Sequence, residues 1–225
     1  MPAARLESAV PAGTDPREHA RVLARVHAAA LSGEVPPVRP RPLIEASWQR
    51  LIHRVDPDRG GQAEPLDPEG LERRRETSSL LGGAATLRAA LVSIAEEAQH
   101  IMVVVAADGR VLWRDGSSRV RRKADGLGFV EGARWDEDTV GTNAIGTAIV
   151  ARRPVQVYSA EHFVRTHHPW TCAAAPLHDP RNGWLLGVID VSGPASTVWP
   201  QDPTRLLPCS SSPAVTRLRT RVLSA

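Results

Sequence analysis

The sequence predicts an α+β protein in which an antiparallel β-sheet is flanked by helices and preceded by an N-terminal helical extension. Two observations lead to this prediction. Apolar residues recur at helical spacing in residues 16–81, whereas short apolar runs separated by hairpin-type turns follow residue 100. The chain has 225 residues and a hydrophobic content of 42%, enough for one sizeable domain with extensions.

The first part of the chain is predicted to be helical after a short disordered start at residues 1–15, which are rich in Pro, Gly and Ala. Asp15 can cap a helix that begins with Pro16, and Gly33 can end it. Asp56-Pro57 ends a second helix, because a residue before proline avoids the helical region. This part of the chain is predicted to contain four helices, over residues 16–32, 43–54, 68–80 and 84–100.

The second part of the chain is predicted to form the sheet. Asp108-Gly109 and Arg181-Asn182-Gly183 are hairpin turns between apolar runs. Because hairpins outnumber regular crossovers, an antiparallel sheet is favoured. The strands are predicted at residues 101–106, 111–114, 155–158, 172–178 and 184–191, with helical pieces at 139–152 and 160–165.

Two glycines, Gly141 and Gly146, lie in the predicted helix 139–152. Each costs about 1 kcal/mol relative to alanine in a helix interior. A chain that accepts this cost needs its backbone close to a packed sheet or to a ligand. The acidic residues that precede this segment complement a helix dipole, and Asp138 or Thr139 is expected to cap the helix.

Several separated motifs resemble, in order, those of a GAF domain, a small-molecule-sensing module of bacterial regulators. They are IMVVVAADGRVLW, WDEDTVGTNAIGTAI and CAAAPLHDPRNGWLLGVIDVSG. With RPLIEASWQRLIHRVDPD before them and EHFVRTHHPWTCAAAPLHDP among them, they resemble the sensory region of acetoin-catabolism-type transcriptional activators. The resemblance implies a domain at residues 82–198 that binds a small molecule and biases a DNA-binding effector.

The chain departs from that family's usual pattern after the predicted sheet. No Walker A phosphate loop occurs, so no nucleotide cofactor is indicated, and no helix-turn-helix is evident, so DNA would be reached only through an effector region. Residues 199–225 form an atypical tail rich in Pro, Ser and Arg. We interpret the change of composition near Trp199 as a truncation or a change of reading frame.

Candidate ligand-binding residues are polar or aromatic side chains in and beside the predicted strands. Trp135 and Trp170 are predicted on loops at a pocket mouth, whereas Trp113 and Trp184 are predicted in the core or on a sheet face. Asp190, in an apolar strand, is expected to be exposed at an edge, turned toward a pocket or paired with a buried arginine, and pairing is expected first. The full set is Trp135, Thr142, Asn143, His162, His167, Trp170, Cys172 and Asp190.

A histidine-rich stretch invites a metal hypothesis. Four of the eight histidines lie between residues 162 and 178, close to Cys172. The Cys-x-x-x-Pro-Leu sequence there resembles that of the GAF nitric-oxide sensors, which hold a mononuclear iron. His167 and Cys172 are the metal candidates, but no complete ligand set is evident. The alternative is that these residues order a loop over the pocket.

Four functions therefore remain open: a ligand sensor, a dimerisation module without ligand, an iron sensor and a thiol enzyme. The sensor is favoured, as a cytoplasmic homodimer that is not an enzyme. A thiol enzyme would need a partner for Cys172, and Cys209 lies in the atypical tail. No apolar run is long enough for a membrane span, and the net charge of +3 is a weak indication of nucleic-acid binding.

Overall fold

A computed structural model describes residues 7–61, 64–82 and 99–197. The predicted fourth helix and the Pro/Ser/Arg-rich tail lie outside these ranges, apart from the helix's last two residues. In these ranges, three helices precede the sheet: α1 at Pro16–Ser32, α2 at Pro42–Leu51 and α3 at Pro68–Glu76. The predicted second and third helices therefore end earlier than expected.

Helix α1 has the ends that its sequence predicts. The side chain of Asp15 accepts hydrogen bonds from the backbone N–H groups of Arg17 and Glu18, at 2.7 and 3.1 Å. Gly33 ends the helix in a left-handed conformation with φ of 73°. Both features satisfy backbone groups that a helix end leaves unpaired.

The sheet has five strands in the order β2-β1-β5-β4-β3, and every neighbouring pair is antiparallel. The strands are β1 at Ile101–Ala106, β2 at Val111–Gly116, β3 at Val155–Tyr158, β4 at Trp170–His178 and β5 at Leu185–Pro194. The predicted α+β class with an antiparallel sheet is therefore confirmed. Trp170 begins β4, so its expected place on a loop was wrong.

Three helices lie between β2 and β3: α4 at Ser118–Asp125, α5 at Glu137–Val140 and α6 at Ala144–Ala151. The single helix predicted over residues 139–152 is in fact α5 and α6. The helix is interrupted at Gly141, whose φ of 75° is left-handed. Asn143 caps the second helix. Asp136, rather than Asp138 or Thr139, caps the first piece.

The N-terminal helices and one face of the sheet share a single apolar core. Val26 of α1 and Trp48 of α2 belong to the same cluster of buried side chains as Val103 of β1 and Val188 of β5. The opposite sheet face carries a second cluster, which includes Trp113 as predicted. The helical extension therefore packs directly on the predicted sensory domain.

The expectation for Trp184 was wrong. Its side chain is 74% exposed and precedes β5, which begins at Leu185. The backbone N–H of Trp184 donates to Oδ1 of Asn182, so Trp184 belongs to the turn between β4 and β5. Because Trp184 precedes the strand, the alternation of buried and exposed side chains along a strand does not predict its burial.

Candidate functional site

A cavity of about 310 Å³, which includes its opening and the gaps between side chains, lies on the core face of the sheet. The cavity is lined by Leu127, Phe129, Trp135, Asn143, Ala144, Ile145, His162, His167, Trp170, Cys172, Asp190 and Ser192. Seven of the eight candidate site residues are among them.

The floor of the cavity is formed by polar side chains of two neighbouring strands. Asp190 and Ser192 are two residues apart on β5 and therefore project to the same face of the sheet. Cys172 on β4 is the cross-strand partner of Ser192. The floor thus presents a carboxyl group, a hydroxyl group and a thiol to the cavity.

The wall of the cavity includes a stack of three rings, two from the segment between α4 and α5 and one from the segment between β3 and β4. The ring centroids of Phe129 and Trp135 are 4.0 Å apart, and those of Trp135 and His167 are 5.2 Å apart. Offset packing of this kind stabilises aromatic pairs beyond their buried area. The stack gives the cavity a flat apolar wall beside the polar floor.

Asp190 is completely buried and has no arginine partner within residues 7–61, 64–82 and 99–197. The hydroxyl of Ser192 donates a hydrogen bond of 2.5 Å to its Oδ2, while Oδ1 has no hydrogen-bond partner. Burial raises the pKa of Asp190 to about 7, partly offset by the hydrogen bond from Ser192. The expected pairing with a buried arginine was therefore wrong, and the acid lines the cavity instead.

The two histidines of the wall are uncharged at neutral pH. Burial lowers the pKa of His162 to about 3 and that of His167 to about 4. Nδ1 of His162 lies 2.9 Å from the carbonyl oxygen of Ser159, which assigns the ring proton to that nitrogen. Nδ1 of His167 is buried and has no partner.

Cys172 does not have the environment of a reactive thiol. Burial raises its pKa well above the ordinary value, and the nearby Asp190 raises it further. A neutral thiol is a poor nucleophile and a poor metal ligand. Within residues 7–61, 64–82 and 99–197, no group of three His, Cys, Asp or Glu residues is placed to hold a metal ion.

Thr142 is the one candidate that the structure does not bring to the cavity. Its hydroxyl lies 2.7 Å from the hydroxyl of Ser47 on α2. Asn143 does line the cavity, but both ends of its amide are occupied: Oδ1 accepts from the N–H of Gly146, and Nδ2 donates to the carbonyl oxygen of Gly141. Each of the two amide atoms thus already has one partner, so Asn143 helps to shape the wall.

Buried polar contacts connect α1 and α2 to the segment that carries His162. Arg41, just before α2, donates two hydrogen bonds to the carboxylate of Glu161, at 2.7 and 2.8 Å. The indole N–H of Trp48 donates to the carbonyl oxygen of Glu161 at 3.0 Å. Nε2 of His27 lies 2.8 Å from the carbonyl oxygen of Phe163.

A second set of contacts joins α2 to the helices of the cavity wall. Glu137 of α5 is buried, and its carboxylate accepts hydrogen bonds from Ser47, Thr147 and Arg50. Ser47 and Arg50 lie on α2, whereas Thr147 lies on α6, three residues after Ala144. Glu137 therefore links α6 to α2 through direct hydrogen bonds.

Five lining residues were not among the candidates: Leu127, Phe129, Ala144, Ile145 and Ser192. Four are apolar, and no sequence signal separates an apolar cavity residue from a core residue. For Ser192 a signal exists, because it is two residues from Asp190 in a strand and so shares its face.

Comparison with known proteins identifies the family. The model of the family described as "MimR, N-terminal domain" matches residues 31–211, which is most of the chain. The chain belongs to the MimR N-terminal domain family. The resemblance to acetoin-type regulators is likewise confirmed, because relatives of this MimR-type domain include the acetoin dehydrogenase operon transcriptional activator AcoR of Bacillus subtilis.

Three curated relatives show how much of each protein the MimR-type domain represents. AcoR is 36% identical over 170 residues, 75% of this chain and 28% of AcoR. An uncharacterized 47.3 kDa protein of Rhodococcus erythropolis is 42% identical over 154 residues, covering 68% and 35% of the two chains. The propane 2-monooxygenase operon transcriptional activator MimR of Mycolicibacterium goodii is 30% identical over 163 residues, covering 72% and 27%. The chain thus spans about a third or less of these relatives.

A solved structure supports the fold of the MimR-type domain. The Escherichia coli DhaR(N)-DhaL complex contains a chain that matches with a TM-score of 0.70 and 22% identity, over 82% of this chain and 61% of that one. At this identity the match supports the fold alone.

None of the helices in the described parts of the chain has the length and apolar character that a membrane span needs.

Proposed function

We propose that the chain is the ligand-sensing region of a transcriptional regulator and that its cavity binds a small uncharged molecule. The observation that supports this most is the pair of buried atoms without partners in one cavity, Oδ1 of Asp190 and Nδ1 of His167. Leaving such atoms unpaired costs about 1–3 kcal/mol each. A ligand or water that pairs with them recovers this cost.

The lining restricts the chemical class of the ligand. No lysine or arginine lies among the described residues that line the cavity, so an anion would be buried without a counter-charge. Aromatic rings favour an apolar body. The names of several relatives refer to operons for acetoin, propane, dihydroxyacetone and glycerol metabolism. The lining and these names together favour a molecule of three or four carbons with one to three oxygen atoms.

Occupancy of the cavity would reach the N-terminal helices through the contacts that flank it. His162 lines the cavity, and its neighbours Glu161 and Phe163 bind Trp48, Arg41 and His27. A ligand that draws His167 and His162 towards the floor changes how these neighbours hold α1 and α2. The ligand shifts this equilibrium only by its difference in affinity for the two arrangements.

Thermal unfolding with a panel of small compounds tests the proposal. The panel contains 2-butanone, 2-butanol, 2,3-butanediol, 3-hydroxy-2-butanone, acetone and glycerol. A compound present at about 100 times its Kd adds about 2.7 kcal/mol of stability, which raises Tm by several degrees. No rise with any of them, on protein with a cooperative unfolding transition, would contradict the proposal.

A cavity-filling variant separates binding in the cavity from non-specific effects. Ala144→Leu places three extra carbon atoms where the wall is lined by a small side chain. The variant is expected to lose the ligand-dependent rise in Tm and to keep a cooperative transition without ligand. Val150→Leu, on the exposed side of α6, is the matched control and keeps the rise.

The remaining parts of the proposal concern the whole regulator. The chain would act as a homodimer in the cytoplasm, reach DNA only through an effector region, and have no enzymatic activity of its own. The relatives described as transcriptional activators support this assignment. The second candidate function is binding to a partner protein. The DhaR(N)-DhaL complex among the similar structures favours it. Analytical ultracentrifugation with and without the panel compounds tests the dimer.

A further inference from the structure

We propose that Asp190 binds an acceptor oxygen of the ligand as a neutral carboxylic acid, so that ligand binding takes up one proton from solvent at this group. The inference rests on the proposed sensing function and specifies how the site chooses its ligand. It is carried by the surroundings of Asp190, the position of its single hydrogen bond and the identity of its unpaired oxygen.

Among the residues that the structure describes, no positive charge lies beside Asp190. From β5 it meets the hydroxyl of Ser192, and from β4 it meets the thiol of Cys172. Its cross-strand neighbours are Val103 on β1 and Ala174 on β4. Across the cavity lie the amide of Asn143 and the uncharged rings of His162 and His167, and no described lining residue is cationic.

An ionised carboxylate in such a place would be buried without compensation. A carboxylate needs either water or a counter-charge, and burial without both favours the protonated form. The environment acts in this direction, since burial raises the pKa of Asp190 to about 7. Glu161 shows the opposite arrangement, because Arg41 neutralises it within the same fold.

The hydrogen bond from Ser192 decides where the proton of the neutral acid is placed. Ser192 donates to Oδ2, so this oxygen serves as an acceptor. The proton therefore sits on Oδ1, which is the atom without a partner. A neutral Asp190 thus offers the cavity one O–H donor.

This donor selects among ligands by charge and by hydrogen-bonding group. A carbonyl or hydroxyl oxygen accepts the hydrogen bond from Oδ1 and stabilises the protonated acid further. The balance is one ionised Asp190, one proton from solvent and one ligand forming the neutral acid bound to the ligand oxygen. An amine ligand would instead stabilise the carboxylate, and its binding would release a proton.

Isothermal titration calorimetry distinguishes the two cases. The titrant is the panel compound that raises Tm most, measured near pH 6, 7 and 8 in buffers of different ionisation enthalpy. Proton uptake on binding and a loss of affinity of up to tenfold per pH unit above about pH 7 are expected. Proton release, or the same affinity across this range, would overturn the proposal.

Substitution tests whether Asp190 is the group responsible. In Asp190→Asn the amide oxygen can accept from Ser192 while the amide N–H₂ donates to the ligand. This variant is expected to lose the pH dependence and to bind more tightly than the unmodified protein near pH 8. Asp138→Asn is the matched control, because its carboxylate is exposed beside Arg54, and it is expected to keep the pH dependence.

A measurement without ligand separates this proposal from the sensing function. The infrared C=O stretch of a protonated carboxyl group is expected near pH 6 and is lost in Asp190→Asn. Presence of this band without binding of any panel compound supports a neutral Asp190 and contradicts the sensing function for those compounds. Absence of the band overturns the neutral acid whether or not a compound binds.

Discussion

Nε2 of His27, on α1, lies 2.8 Å from the carbonyl oxygen of Phe163, the residue that directly follows His162 in the cavity wall. The ring of His27 also packs edge-on against those of Trp48 and His168, with centroids 5.3 and 4.8 Å away. His27 is therefore a buried link between the first helix and the wall of the cavity.

Replacement of His27 by leucine keeps a side chain of similar bulk and leaves the carbonyl of Phe163 without its partner. We expect a loss of about 1–3 kcal/mol in the free energy of unfolding, measured by urea denaturation. His53→Gln, on an exposed histidine, is the control and is expected to change stability by less than about 0.5 kcal/mol. An equal effect of the two substitutions would show that His27 is not a structural link.

Gly146 of α6 lies against the backbone at the start of α5. A Cβ at this position would lie 2.5 Å from the backbone nitrogen of Glu137. Gly146→Ala should therefore destabilise the fold, although alanine favours a helix by about 1 kcal/mol. Gly126→Ala is the control, because the nearest atom to its Cβ would be 3.4 Å away. A stabilising Gly146→Ala in chemical denaturation would contradict the close approach.

Arg41 neutralises Glu161, which is almost fully buried. Arg41→Gln leaves this carboxylate without its cation, so a loss of about 3–5 kcal/mol is expected. Arg39→Gln is the matched control, because Arg39 is 82% exposed in its ion pair with Glu45, and such pairs contribute little. Guanidinium-induced unfolding measures both variants. If both variants lost the same small amount of unfolding free energy, the Arg41–Glu161 pair would not stabilise the packing of the N-terminal helices.

Acid should weaken the fold through the histidines of the cavity wall. The pKa values of His162 and His167 in the folded chain, about 3 and 4, lie below the ordinary 6.5. As the pH falls from about 6.5 to 4, the unfolded chain therefore binds protons that the folded chain does not, and stability falls. Each histidine contributes at most about 1.4 kcal/mol per pH unit.

The raised pKa of Asp190 acts in the opposite direction, because the folded chain then holds an extra proton between about pH 4 and 7. The Asp190→Asn substitution removes this opposing contribution. Adding His167→Gln to that variant is expected to make the unfolding free energy depend less on pH than it does in Asp190→Asn alone. Urea titrations at about pH 7, 6 and 5 measure the slope. An unchanged slope would mean that His167 is protonated in the folded chain.

Much of the architecture could be predicted, because local signals determine it. The capping of α1 by Asp15 and its end at Gly33 depend on neighbouring residues alone. The hairpin at Asp108-Gly109 follows from turn chemistry in the same way, and β1 begins and ends at the predicted residues. The motifs, taken in order, also led to the family resemblance, which the comparisons confirm.

The environment of Asp190 could not be predicted, because it depends on which distant side chains reach the same face of the sheet. The sequence offers many arginines, and none of those in the described parts of the chain pairs with this acid. The break between α5 and α6 was missed because Gly141 and Asn143 are compatible with either one helix or two. The ligand-binding role of the cavity residues stays a prediction.

The indole N–H signals in a two-dimensional ¹⁵N–¹H NMR spectrum test the central claim most directly. Trp135 and Trp170 line the cavity, whereas Trp113 lies on the other sheet face and Trp184 is exposed. Single Trp→Phe variants assign the signals. Titration with the panel compounds is predicted to shift the signals of Trp135 and Trp170 and to leave those of Trp113 and Trp184 in place. A titration that moves only Trp184, or none of them, would contradict a ligand-binding cavity.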